Sequence, residues 1–110
     1  MDDDRADRIR RLNDALRCGG LGGTIHITAG IANLGREGVV NVLSTVAGFE
    51  AFGPDNDPWG EHDCAILSVA GRTILFKIDY YDRELTGGSE DPGDPHVTRR
   101  VLTVMLAEEY

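Results

Sequence analysis

CAILSVAGRTILFKIDYY, residues 64–81, predicts the central element of the fold. Two strand-like runs, Cys64 to Val69 and Thr73 to Tyr81, are joined by the turn Ala70-Gly71-Arg72. This arrangement predicts an antiparallel β-hairpin. The side chains of the second arm form two alternating sets, Ile74, Phe76, Ile78 and Tyr80 in one and Thr73, Leu75, Lys77, Asp79 and Tyr81 in the other. Because successive side chains point to opposite faces of a strand, we expect one set in the core and the other partly in solvent.

The chain before the hairpin predicts a helix, a strand and a second helix. Apolar residues recur at helical spacing from Asp4 to Arg17, and the glycines that follow end this helix. Thr24 to Thr28 alternates polar and apolar residues like a half-buried strand, and a second helix is expected from Asn33 or Gly35 to Phe49. The apolar positions are Ala6, Ile9, Leu12 and Leu16 in the first helix and Val39, Val40, Leu43, Val46 and Ala47 in the second. The arginines interpreted as the solvated face of the first helix are Arg5, Arg8, Arg10, Arg11 and Arg17.

The chain after the hairpin predicts a loop and a third helix. The segment ELTGGSEDPGDP, residues 84–95, is rich in glycine, proline and acid, so no regular structure is expected there. Asp94-Pro95 resembles a helix start, an N-cap followed by proline at the first helical position. The apolar residues assigned to the third helix are Val97, Val101, Leu102, Met105 and Leu106.

The predicted order of elements is helix, strand, helix, strand, strand, helix. Three strands with helices on one face predict a two-layer α+β domain, in which a mainly antiparallel, three-stranded sheet packs against about three helices. We expect the first strand to lie beside the hairpin. A chain of 110 residues is long enough for one core, so residues 1–110 are expected to form a single domain.

Negative charge is concentrated in the second half of the chain. The net charge is −8; residues 1–49 hold six acids and six arginines, whereas residues 50–110 hold thirteen acids and five bases. Phosphate backbones repel such a surface, so direct nucleic-acid binding is disfavoured. The charge distribution favours either simple solubility or a surface that meets a basic partner.

The cysteines and the N-terminus predict a cytoplasmic protein. Cys18 and Cys64 are far apart and form no C-x-x-C motif, so neither a disulfide framework nor a zinc site is indicated. The first residues are acidic where a secretory signal would be basic, and no apolar run is long enough to span a bilayer. No cofactor is indicated.

Acidic residues recur on both sides of the predicted hairpin. PDNDPWGEHD, residues 54–63, holds four carboxylates, a histidine and the only tryptophan, and a second acidic segment runs from Asp79 to Asp94. The outer ends of a hairpin are neighbours, so the two segments are expected to meet at one end of the sheet. The predicted partner-binding residues are Asp55, Asp57, Trp59, Glu61, His62, Asp63, Asp79, Tyr80, Tyr81, Asp82, Glu84, Glu90, Asp91 and Asp94.

The same residues admit a structural and an enzymatic interpretation. In the structural one, Asp57-Pro58 and Trp59-Gly60 form turns, and Trp59 covers one edge of the core. An EF-hand is excluded because Trp59 and Ile66 occupy positions that need oxygen ligands. An irregular divalent site, or a base at His62 oriented by a flanking carboxylate, stays open.

Five ordered motifs carry a resemblance to a known family. RIRRLNDALR, ITAGIANLG, PDNDPWGEHD, KIDYYDREL and DPHVTRRVLTVMLAEEY, which extend from residue 8 to the C-terminus, resemble small bacterial proteins classed only as a domain of unknown function. The resemblance implies no catalytic or binding residues. It implies an accessory role on plasmids and other mobile elements, a setting that includes anti-restriction and anti-CRISPR inhibitors.

Three functional hypotheses follow from the sequence. The leading one is a non-enzymatic protein whose acidic end binds a basic, nucleic-acid-handling protein, as a counter-defence inhibitor would. The second is a small metal-dependent hydrolase or other enzyme centred on His62 with Asp55, Asp57, Asp63 and Asp79. The third is a structural module that acts by forming a symmetric homodimer.

Overall fold

The hairpin forms one half of a four-stranded sheet in the computed structural model, which describes residues 2–110. The strands are β1 (Thr24–Ile27), β2 (Cys64–Val69), β3 (Arg72–Tyr81) and β4 (Arg99–Leu106), and their order in the sheet is β1-β4-β3-β2. The predicted mixed α+β class is confirmed, but the sheet has four strands and not three.

The hairpin turn has the geometry that a two-residue connection requires. Val69 pairs with Arg72, so Ala70 and Gly71 alone make the turn, and their φ angles are 51° and 80°. Positive φ at both central positions is typical of a type I′ turn, whose twist matches that of the flanking strands. The predicted alternation of β3 is confirmed, because Ile74, Phe76 and Ile78 are buried.

The predicted third helix is wrong, because its residues form strand β4. Buried positions in β4 follow a period of two, with Arg100, Leu102 and Val104 facing the core. The Asp94 carboxylate accepts the His96 amide at 2.9 Å, which closes a local turn instead of beginning a helix. The apolar residues between Val97 and Leu106 fit the periodicity of a helix as well as that of a strand. Pairing with β3 stabilises the strand.

Strand β1 does not lie beside the hairpin as predicted. It pairs in parallel with β4, with Ile25 opposite Leu102 and Ile27 opposite Val104, and β4 pairs antiparallel with β3. The error has the same origin as the missing strand. With residues 97–106 assigned to a helix, the two edges of the hairpin were the partners left for β1.

The described residues form three helices, α1 (Asp2–Gly19), α2 (Ala29–Ala32) and α3 (Gly35–Ala47), and a 3-10 turn follows β4 at Ala107–Glu109. The predicted apolar face of α3 is partly wrong, because Val40 is 59% exposed, whereas Val42 and Val46 are buried. No helix in the described part of the chain is long and apolar enough to cross a membrane.

The core lies between the helices and one face of the sheet. Leu16 of α1 and Val42 and Val46 of α3 belong to the same buried cluster as Phe76 of β3 and Val104 of β4. Phe49 packs edge-on against Phe76, with ring centroids 5.9 Å apart. Burial of these side chains on one face of the sheet is the main stabilising contribution to this two-layer arrangement.

The turn geometry makes opposite predictions for its two residues. Ala70→Asn should raise the free energy of unfolding by about 0.5–1 kcal/mol, because asparagine tolerates the left-handed conformation better than alanine. Gly71→Ala should lower it by about 1 kcal/mol for the converse reason. Urea denaturation of both variants measures the two shifts, and a loss of stability in Ala70→Asn would contradict the turn assignment.

Candidate functional site

The loop at residues 54–63 is held by its own hydrogen bonds. Asp57 is buried, its amide donates to Gly53 O at 2.7 Å, and its carboxylate accepts the His62 amide at 3.3 Å. His62 has a φ of 55° and Gly60 a φ of 70°, so the chain makes two left-handed bends before it enters β2. Trp59 is 77% exposed, so the predicted role of this side chain as a cover for the core is wrong.

The imidazole of His62 lies between two carboxylates that do not adjoin it in sequence. Its Nδ1 is 2.9 Å from Asp14 Oδ1 on α1, and its Nε2 is 3.8 Å from Asp57 Oδ2. The ring stacks on Phe52, with centroids 3.9 Å apart and an interplanar angle of 8°. The contact with Asp14 joins α1 to the loop, and no spacing in the sequence indicated it.

Arg17 is buried, which corrects its assignment to the solvated face of α1. Its Nη1 donates to the carbonyls of Val46, Ala47 and Phe49 at 2.9–3.1 Å, and its Nη2 donates to Asp14 at 3.0 Å. The carbonyls at the end of α3 lack intrahelical partners, so a cation there stabilises the helix end. Arg17 therefore fixes α3 against α1 and orients the carboxylate that contacts His62.

A pocket of about 310 Å³ opens beside His62 and is lined by Asp14, Arg17, Cys18, Ala47, Phe49, Glu50, Phe52 and His62. An oriented imidazole next to a carboxylate can transfer a proton to or from a bound molecule. Within residues 2–110, no group of three or more histidine, cysteine or acidic residues has the geometry to hold a metal ion. The pocket thus offers acid-base chemistry through His62 and Asp14.

Asn13 is the centre of a buried polar junction that the sequence analysis missed. Its Nδ2 lies 2.9 Å from Glu61 O and 2.8 Å from the Tyr80 hydroxyl, and its Oδ1 accepts Arg100 Nε at 2.6 Å. The Tyr80 hydroxyl donates in turn to Glu61 Oε1 at 2.8 Å. Burial is the main reason that the pKa of Tyr80 is raised and that of Arg100 lowered. Asn13 lies four residues after the buried Ile9, so both share one face of α1. This spacing was the feature of the sequence that indicated burial of Asn13.

Four carboxylates gather where β2 begins, and we call Asp57, Glu61, Asp63 and Asp79 the hairpin acidic cluster. The Ile78 amide donates to Asp63 O at 2.7 Å, which holds the loop against β3. Burial raises the pKa of the Asp63 carboxyl, and repulsion from Glu61, Asp57 and Asp79 raises it further. Asp79 also pairs with Lys77, the only lysine, whose pKa is raised mainly by this hydrogen bond.

The predicted acids after β3 lie in the connection to β4. The Asp82 carboxylate accepts the Thr86 amide at 2.9 Å and its hydroxyl at 2.8 Å, and these bonds lower its pKa. Asp91 accepts the Gly93 amide at 3.2 Å. Asp82, Glu84 and Glu90 border one depression. The side chains of Glu84 and Glu90 are exposed to solvent, and so is that of Asp55 in the loop at residues 54–63. Tyr81, the last residue of β3, is half-buried opposite Arg99.

The Asn13 junction predicts a large effect of one substitution. Asn13→Ala should lower the free energy of unfolding by about 3 kcal/mol, because it leaves the buried Arg100 Nε donor without an acceptor and removes the amide donor that the Tyr80 hydroxyl oxygen accepts. Asn41→Ala, a change of the same kind at an exposed position of α3, should change it by less than about 0.5 kcal/mol. Chemical denaturation of both variants tests the difference, and similar values would contradict the structural role of Asn13.

The raised pKa of Asp63 predicts a pH-dependent gain in stability. Because the folded-state pKa lies above the ordinary value of 3.8, the ionised carboxylate destabilises the fold at neutral pH. Asp63→Asn should therefore raise the melting temperature at pH 7, and the gain should disappear below pH 3.8, where the carboxyl is protonated in both states. Asp55→Asn is the control in the same loop. A gain that is equal at both pH values would refute this explanation.

Comparison with known proteins gives one match. Residues 27–109 match the model of a family described as "Protein of unknown function (DUF3768)". No curated protein and no solved structure matches the chain. The matched residues include α2, α3 and strands β2, β3 and β4 but begin after α1, which supplies Asn13 and Asp14. Because the match spans most of the chain, the protein belongs to this family of unknown function, DUF3768.

Proposed function

We propose that this protein is a non-enzymatic interaction protein that binds a basic partner through the acidic segments 54–63 and 79–94. The observation that carries the proposal is the hairpin acidic cluster. Three carboxylates lie close enough to Asp63 to raise its pKa by repulsion. Like charges held this close produce a strong local negative potential, and such a potential attracts a cationic surface.

The internal hydrogen bonds of the acidic residues support the proposal. A carboxylate that accepts backbone amides, as Asp82 and Asp91 do, has a fixed position, and the hydrogen bonds from Thr86 also lower the pKa of Asp82 and so favour its charged form. A partner that binds fixed charges loses less side-chain entropy than one that must order them. The carboxylate oxygens of Asp82 and Asp91 already accept hydrogen bonds within the protein. The residues that would pair directly with arginines of the partner are therefore the exposed Asp55, Glu84 and Glu90.

Trp59 supplies the apolar component of the proposed interface. Its side chain is 77% exposed between Asp57 and Glu61, two members of the acidic cluster. Tryptophan is among the residues that contribute most to the energy of protein interfaces, and exposure of so large an apolar group to water is unfavourable in the free protein. A partner that covers Trp59 would recover this energy and exclude water from the charge pairs around it.

The fixed positions of the surface carboxylates indicate the class of protein that the partner belongs to. Proteins that handle nucleic acids have basic grooves that bind phosphates, and a surface of fixed carboxylates can occupy such a groove. The narrower proposal, a counter-defence inhibitor of the anti-CRISPR or anti-restriction type carried on a bacterial mobile element, rests on the family resemblance alone. A cytoplasmic location belongs to the same proposal.

A second candidate function is acid-base catalysis in the pocket beside His62. It is favoured by the 2.9 Å contact between His62 Nδ1 and Asp14, because a carboxylate on one ring nitrogen orients the other. Hydrolysis of p-nitrophenyl acetate by the purified protein, compared with His62→Gln, tests it. Equal rates for the two proteins would exclude His62 as the base in this reaction.

The binding proposal predicts a difference between two double variants that lose the same charge. Glu84→Gln/Glu90→Gln should weaken binding of nona-arginine about tenfold, because both glutamates lie in the acidic segment. Glu37→Gln/Glu108→Gln, at exposed positions elsewhere, should leave the affinity within about twofold. Fluorescence of Trp59, the only tryptophan, measures binding by each protein.

The same titration should show a steep salt dependence, since exposed charge pairs are screened by added ions. Trp59→Phe, followed by calorimetry, separates the apolar contribution from the charge. Equal losses in the two glutamine pairs would mean that the peptide senses only net charge, which would refute a localised acidic interface.

A further inference from the structure

A cavity of about 430 Å³ lies where β1 and β4 begin, and it is lined by cationic side chains although Arg83 and Leu85 of its wall belong to the acidic segment 79–94. Arg83, Arg99, Arg100 and His26 line it, and its lining, taken over the described residues, contains no carboxylate. In a protein of net charge −8 this is an unexpected local composition. A concave site with several cationic groups and no acid is suited to an anion.

Two of the arginines are available to a ligand. Arg83 and Arg99 are exposed, and neither takes part in any ion pair found within residues 2–110. Arg100 is different, because Asn13 and the carbonyl of Pro92 hold its guanidinium. Arg100 therefore borders the cavity with its guanidinium already bound on the core side, while the guanidiniums of Arg83 and Arg99 have no anionic partner among the described residues.

The fold brings the cavity-lining side chains of β1 and β4 to one face of the sheet, whereas the side chain of Arg100 lies on the opposite, core-facing side. Arg99 and Val101 alternate with the core-facing Arg100 on β4, and the parallel register places Thr24 opposite Val101 and His26 opposite Thr103. A Cβ atom at Gly23 would lie 2.4 Å from Arg100 O, so only glycine allows the chain entering β1 to approach β4 this closely. The close approach closes one side of the cavity.

The loop after β3 closes another side and is fixed by its own contacts. Asp82 accepts two hydrogen bonds from Thr86, and this turn presents Arg83 and Leu85 to the cavity. Leu85 is 54% exposed and has a φ of 61°, an uncommon conformation for a branched apolar residue. Strained backbone that exposes an apolar side chain beside unpaired cations is a combination found at ligand sites.

We propose that this cavity binds a small organic phosphate. The phosphate would lie between Arg83 and Arg99, and an apolar ring would contact Leu85, Pro95 and Val101. Two guanidiniums and an imidazole offer more donors than the two oxygens of a carboxylate can accept, whereas the three oxygens and the double charge of a phosphate monoester match them. The apolar lining accounts for the organic part of the ligand.

The test is calorimetric titration of the full chain with AMP, phenyl phosphate, adenosine and benzoate. AMP or phenyl phosphate should bind with a single saturable site, and adenosine and benzoate should bind at least tenfold more weakly. Arg83→Gln/Arg99→Gln should lose at least tenfold in affinity for the phosphate ligand. The matched variant Arg36→Gln/Arg72→Gln removes two exposed arginines that do not line the cavity and should bind like the unaltered protein.

Several outcomes would overturn the proposal. No saturable binding of either phosphate at millimolar concentration would do so, as would benzoate binding as tightly as phenyl phosphate or equal losses in the two double variants. Circular dichroism and the melting temperature of each variant establish that it is folded. Leu85→Asp gives an independent check, because a carboxylate at the mouth of the cavity should repel a phosphate while leaving the charges of the arginines unchanged. Arg83 and Leu85 belong to the acidic segment 79–94, but the proposed function rests on the carboxylates of that segment. Loss of the phosphate result with unchanged binding of nona-arginine would therefore overturn this proposal alone.

Discussion

The side chain of Asn13 joins α1 to three other parts of the chain, and both charged surfaces depend on it. Asn13 is completely buried and binds Glu61 in the acidic loop, Tyr80 at the end of β3 and Arg100 in β4. A buried polar group without a partner costs about 1–3 kcal/mol. Few arrangements satisfy all of these groups together, so the junction specifies how the helix, the loop and the sheet meet. The apolar core provides most of the stability, but it allows more variation in geometry than the polar junction does.

Arg100 connects the junction to the cavity on the other side of the same strand. Its Nε donates to Asn13, and its Cζ lies 5.0 Å from the centroid of the Tyr80 ring. The residue also lines the cavity of Arg83 and Arg99. Burial lowers the pKa of this guanidinium, since charge is costly away from water. Arg100 thus contacts residues next to both the proposed acidic surface and the proposed phosphate cavity.

The sequence predicted the positions of the hairpin, the first strand and the first two long helices because each depends on local pattern and turn residues. The half-burial predicted for the first strand is wrong, because all four residues of β1 are exposed. The prediction failed at residues 97–106, where apolar and β-branched residues fit a helical period and a strand period equally well. The decisive residue there is Arg100, which occupies a core position that no pattern would assign to an arginine. Its burial is acceptable because the Pro92 carbonyl and Asn13, which lies 87 positions away in the chain, accept hydrogen bonds from its guanidinium. The same dependence on distant partners concealed the roles of Asn13, Asp14 and Arg17.

The amino-acid sequence by itself determined the α+β class, the hairpin with a turn at residues 70–72 and the excess of acid in the second half, since these follow from neighbouring residues and composition. Only the tertiary structure decided that residues 99–106 are a strand between β1 and β3, that His62 meets Asp14, and that three arginines surround one cavity. The physical reason is the range of the interactions. Turn preference and periodicity act over a few residues, whereas strand pairing, burial of polar groups and the addition of charges depend on segments that meet only when the chain is folded.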